Sequence, residues 1–86
     1  MWQDSANGIS AEFPAKNGVM FTVELNRKRE VATINDGVER VIMGMRDNKV
    51  RIYNDLIFDA NVNNSIKARM GQLFIKKVDP KANKRR

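Results

Sequence analysis

The chain has 86 residues and a formal net charge of +6, and it contains no cysteine and no histidine. That length holds one domain near the lower limit for an independent core. The missing side chains exclude disulfides, thiolate chemistry, most zinc sites and the usual neutral-pH general base. The charge is unevenly placed. From Ile66 onward Lys67, Arg69, Lys76, Lys77, Lys81, Lys84, Arg85 and Arg86 stand against Asp79 alone, whereas residues 1–65 hold eight basic and nine acidic side chains. A basic excess confined to one segment points to a polyanion, most often nucleic acid. The competing explanation is a solubilising tail. A membrane surface is not expected as partner, because the final "KANKRR" has no apolar anchor. No apolar run approaches the length of a membrane span, and "MWQDSANGIS" lacks the basic start and apolar stretch of a signal peptide. A cytoplasmic chain is expected, which a cysteine-free composition fits.

Residues 1–8 are polar and read as a flexible N-terminus, from which Trp2 could pack onto the body. Ile9–Phe13 and Val19–Leu25 are predicted to pair as a hairpin across "PAKNG", whose Asn17 and Gly18 suit positive φ. In the second of these strands Val19, Phe21, Val23 and Leu25 share one face, which assigns Phe21 to the core. Glu30–Ile34 is a third predicted strand, and "NDG" at 35–37 a turn. The segment "VERVIMGM" (38–45) admits two readings, since Val38, Val41, Ile42 and Met45 have helical spacing but the run is short and holds Gly44. "NKVRIYND" (48–55) reads as a strand, with Val50 and Ile52 on one side and Lys49, Arg51 and Tyr53 on the other. Leu56–Phe58 forms an apolar cluster, and Asp59–Ser65 reads as a loop.

The last structured segment is contested. Ile66, Met70, Leu73, Phe74 and Val78 mark a helical face with Ser65 or Asn64 as cap, whereas Gly71 and the β-favouring "LFI" oppose a helix. The favoured reading splits it into a helical or turning 65–70 and a strand over 72–78 that stops at Pro80. The expected fold is therefore mostly β: a five-stranded barrel, which closes its own edges, with one short helix. It occupies residues 9–79 as a single domain, followed by a basic tail at 80–86. The alternative is an α+β unit with helices at 38–45 and 65–78.

Catalytic chemistry finds no support. Asp55 with Asp59, and Asp36 with Glu39, are paired carboxylates, but they flank turns, where Asp commonly caps the backbone. Ser5, Ser10 and Ser65 have no histidine to activate them, and the glycines are too scattered for a phosphate-cradling loop. No enzyme activity, metal or cofactor is expected. Lys49, Arg51 and Tyr53 offer a binding chemistry instead, because two cations beside an aromatic ring can neutralise phosphates and stack a base. The competing assignment is a solvated outer face with a snorkelling tyrosine.

Two segments carry a resemblance. "GISAEFPAKNGVMFTVEL" resembles the first hairpin of the bacterial translation initiation factor one family, and "MRDNKVRI" is similar to that family's basic strand. The resemblance implies an oligonucleotide-binding (OB) barrel of five strands that contacts RNA of the small ribosomal subunit without a cofactor. It also implies Arg46 and Arg51 as RNA-contacting positions. The chain departs from the family at Gly44 and Asp47, which stand where lysines are usual, and at "YNDL" and "DANVNNS", which lack the family's turn and loop residues. The combined expectation is a non-catalytic RNA-binding protein, with the ribosome as a candidate assembly. Arg46, Lys49, Arg51 and Tyr53 would form the contact face, Lys67, Arg69, Lys76 and Lys77 would extend its field, and Lys84, Arg85 and Arg86 would add phosphate contacts. The alternatives are a phage-like single-stranded DNA-binding protein and a small structural or protein-interaction subunit whose basic tail docks on an acidic partner.

Overall fold

Six strands form one sheet in the computed structural model, which describes residues 1–76. They are β1 (Gln3–Ser5), β2 (Gly8–Pro14), β3 (Met20–Asn26), β4 (Val31–Asn35), β5 (Glu39–Arg46) and β6 (Lys49–Ile52), followed by the helix α1 (Ala60–Phe74). Each strand is antiparallel to the next, so the sheet is a meander in chain order with β1 and β6 at its edges. The mostly β expectation holds, but the sheet is open rather than closed into a five-stranded barrel. A helix covers the face that barrel closure would have buried.

The predicted hairpin forms as β2 and β3, in the register Ile9 opposite Leu25, Ala11 opposite Val23 and Phe13 opposite Phe21. Gly18 and Gly37 take positive φ in the two predicted turns. Residues 1–8, expected to be flexible, contain β1, and Trp2 does pack back, 5.5 Å from the Phe13 ring. Gly8 is fixed by close approach, since a Cβ there would run into the Leu25 carbonyl oxygen.

From Glu39 onward the segment 38–45 is strand, not helix. Ala32 faces Met43 and Thr33 faces Val41, which leaves Ile42 as an extra residue in β5. This bulge lets both Ile42 and Met43 point inward, and both are fully buried. Two consecutive core residues break the period of two, and that is why the segment resembles a helix in sequence.

The helix overturns the favoured split of the C-terminal segment. Residues 60–64 were expected in a loop and 72–74 in a strand, yet Ala60–Phe74 is one continuous helix. Its N-cap is Asp59, whose carboxylate accepts the Val62 amide at 2.9 Å. Asn63, Ile66, Met70 and Phe74 recur at helical spacing and form the buried stripe. Packing of Phe74 against the sheet outweighs the strand preference of "LFI", and Gly71 costs only about 1 kcal/mol relative to alanine. Val78 and the expected boundary between 79 and 80 lie outside the described residues.

One core lies between the layers: Ile9, Val23, Leu25, Ala32, Ile34, Ile42 and Met43 from the sheet meet Phe58, Ile66, Met70 and Phe74. Phe58 is the hinge of an aromatic series, edge-on to Phe13 at 6.4 Å and to Phe21 at 6.3 Å. The apolar cluster 56–58 divides in its roles, because Phe58 is 1% exposed and Leu56 76%. Phe58→Ala should therefore cost about 3–5 kcal/mol in urea denaturation, while Leu56→Ala should change stability by less than about 0.5 kcal/mol.

Candidate nucleic-acid interface

The stretch from Met45 to Ile52 is a hairpin. Arg46 pairs with Lys49, and the two residues between them, Asp47 and Asn48, take φ of 53° and 61°. Positive φ at both central positions is the type I′ turn, whose twist matches that of the flanking strands. The fold-back puts Arg46 beside Lys49 and Gly44 beside Arg51 on the face away from α1. Tyr53, two residues beyond Arg51, continues that face.

Tyr53 is 58% exposed, yet it has a structural task. A Cβ on Gly44 would stand 2.7 Å from Tyr53 Cε2 and 3.2 Å from its hydroxyl, so the ring edge fills the space above the glycine. Such cover of a strand glycine by an aromatic side chain supports the sheet. It also fixes the ring beside the three cations, with its remaining surface open to solvent.

The rest of the outer face differs in sign. The register places Ser10, Glu12, Thr22, Glu24, Thr33, Asn35 and Glu39 there. Glu24 accepts the Ser5 hydroxyl at 3.0 Å, and Glu39 meets Arg29 at 3.1 Å. The face is thus acidic and hydroxylic over β2–β4 and basic at the β5–β6 hairpin. Among the described residues the ion pairs are Arg29 with Glu39 and Arg40 with Asp36. Neither involves Arg46, Lys49, Arg51, Lys67, Arg69 or Lys76, although Glu30 and Asp47 line a hollow at the hairpin tip together with Arg46 and Lys76.

The predicted residues of the C-terminal segment part company. Lys67 borders the groove between α1 and β6, opposite Lys49. Lys76 is held at the hairpin by two reciprocal bonds: its amide donates to Asn48 Oδ1 at 2.7 Å, and Asn48 Nδ2 donates to its carbonyl at 2.8 Å. Arg69 does not join them. Its guanidinium lies 5.7 Å from the centre of the Trp2 ring, on the opposite flank of the helix, where a cation–π contact explains its position. Lys77, Lys84, Arg85 and Arg86 lie outside the described residues. The sequence reading missed Asn48, although an Asp-Asn pair ahead of a strand is a turn signal. It also missed Gly44 as the seat of Tyr53.

Among the described residues no helix is long and apolar enough to cross a membrane. No family model matches the chain, and neither a curated protein nor a solved structure shows significant similarity to it.

Asn48 combines two roles that a substitution can separate. Asn48→Gly keeps the positive φ of the turn and removes the side-chain bonds to Lys76. The hairpin amides should retain their protection in hydrogen exchange, while the Lys76 amide should exchange markedly faster.

Proposed function

We propose that the protein is a non-catalytic, cytoplasmic RNA-binding protein that uses the outer face of the β5–β6 hairpin. The observation that carries this reading is the convergence of Arg46, Lys49 and Arg51, none of them in an ion pair among the described residues, around an exposed Tyr53 held over Gly44. Three cations on a sheet face supply phosphate contacts, and a ring held in place by the sheet supplies a stacking platform that loses little entropy on binding. Lys67 and Lys76 extend the field on the side of the helix. The acidic side chains over β2–β4 repel a polyanion and confine it to the hairpin end. The resemblance of two segments to the initiation factor one family favours RNA, ribosomal RNA included, over single-stranded DNA.

Fluorescence anisotropy with labelled rU12 and dT12 across about 50–200 mM salt tests the proposal. Affinity should fall steeply with salt, and Arg46→Ala, Lys49→Ala and Arg51→Ala should each lower the logarithmic salt slope by about 0.7. Tyr53→Ala should cost about 1–3 kcal/mol of affinity, most of which Tyr53→Phe should keep. Preference for rU12 supports RNA, and preference for dT12 moves the assignment to single-stranded DNA. Absence of binding at low salt, or an affinity flat in salt, overturns the nucleic-acid reading altogether.

A further inference from the structure

The outer edge of β6 has its own chemistry, separate from the sheet face. Tyr53 donates its amide to the Ile42 carbonyl at 2.8 Å, and Arg46 with Lys49 closes the turn. In an antiparallel pair the residues alternate in the direction of their backbone groups. Lys49, Arg51 and Tyr53 therefore turn theirs toward β5, and Val50 and Ile52 turn theirs to the free edge. Among the described residues no loop or turn backbone bonds to Val50 or Ile52. The edge carries neither a proline nor a bulge that would block another strand.

Beside this edge runs a groove of about 530 Å³ between β6 and α1. Its floor is Val50, Ala68, Gly71 and Ile75, and Lys49 and Lys67 stand at its rims. The small residues Ala68 and Gly71 keep the helix surface low where it faces the edge.

We propose that β6 accepts an extended acidic segment of a partner protein as a seventh strand. The alternation of β6 dictates the alternation of its partner. Val50 and Ile52 share the helix side, so the partner's residues on that side are aliphatic and lie in the groove. Lys49 and Arg51 share the outer side, so the partner's residues there are acidic and form cross-strand pairs with them. Backbone bonds at Val50 and Ile52 supply affinity, and the alternating side chains supply selectivity. A second copy of the same strand is disfavoured, because it would set Lys49 and Arg51 against themselves. The inference does not depend on the nucleic-acid reading, since the groove residues Ala68 and Gly71 lie on the helix and not on the sheet's outer face.

The test uses the full-length chain and a labelled heptapeptide, DEVEVED, in anisotropy titrations and in amide-resolved NMR. Saturable binding with the largest shifts at Val50 and Ile52 is expected, and the basic counterpart KKVKVKK should not bind. Two versions of DEVEVED, N-methylated on alternate sets of amides, separate strand pairing from charge attraction: one should bind at least tenfold more weakly than the parent. Gly71→Leu fills the groove and should weaken the peptide at least tenfold, with rU12 binding unchanged. Should that variant fail to fold, the N-methylated peptides still decide the matter on the natural chain. Binding that stays unsaturated at about 1 mM DEVEVED overturns the proposal. So does equal affinity for both methylated versions and the parent. If Gly71→Leu weakens rU12 as much as the peptide, the groove is a nucleic-acid subsite and the peptide assignment falls.

Discussion

A meander of six strands exposes two faces and two edges, and a chain of this length has apolar material to cover only one face. That cover is α1, whose stripe of Ile66, Met70 and Phe74 meets Leu25, Ala32, Ile42 and Met43 across a single core. Each such side chain stabilises the fold by about 1.5–3 kcal/mol on burial, and the net stability of a domain is only about 5–15 kcal/mol. The helix is therefore a condition of folding, not an appendage. Its placement decides which face of every strand is interior. By exclusion it also decides that Arg46, Lys49, Arg51 and Tyr53 face outward together.

The strands and tight turns were legible where local chemistry and period agreed. Val23 and Leu25 alternate with Thr22 and Glu24, and Gly18 and Gly37 sit at the positive φ their turns require. Legibility failed where tertiary contacts override local preference. Ile42 and Met43 are consecutive core residues made possible by a bulge, and a bulge leaves no period to read. The helix begins at an aspartate cap followed by asparagines and ends in a β-favouring run, so its propensity is poor at both ends. Burial of Phe74 supplies what propensity does not. The candidate site was partly legible for the same reason: Lys49, Arg51 and Tyr53 follow from alternation. Arg46 joins them only through the Asp47–Asn48 turn, and Arg69 stands apart from them, over the Trp2 ring.

Asn48 ties these levels together. At a φ of 61° it closes the hairpin, and with its amide it engages the backbone of Lys76 in both directions. The end of the helical layer is thereby pinned to the tip of the basic hairpin. The point from which the rest of the basic segment continues is fixed beside Arg46 and Lys49. Of the basic residues of the last quarter, Lys76 is thereby held at this end of the sheet and Lys67 borders the groove beside it, whereas Arg69 lies apart, over the Trp2 ring.

Strand β6 is where the two proposed contacts converge, and the period of two keeps them distinct. Its odd-numbered side chains, Lys49 and Arg51, belong to the outer face, and its even-numbered backbone groups, at Val50 and Ile52, belong to the edge. A polyanion on the face and an acidic strand on the edge do not occupy the same volume, yet both draw on the same two cations. An acidic strand paired with Lys49 and Arg51 neutralises charge that the face would otherwise offer to phosphate. Each ligand must then weaken the other, by an equal factor in both directions. Because this antagonism is electrostatic, it fades as salt screens the pair, whereas a steric conflict would persist at any ionic strength.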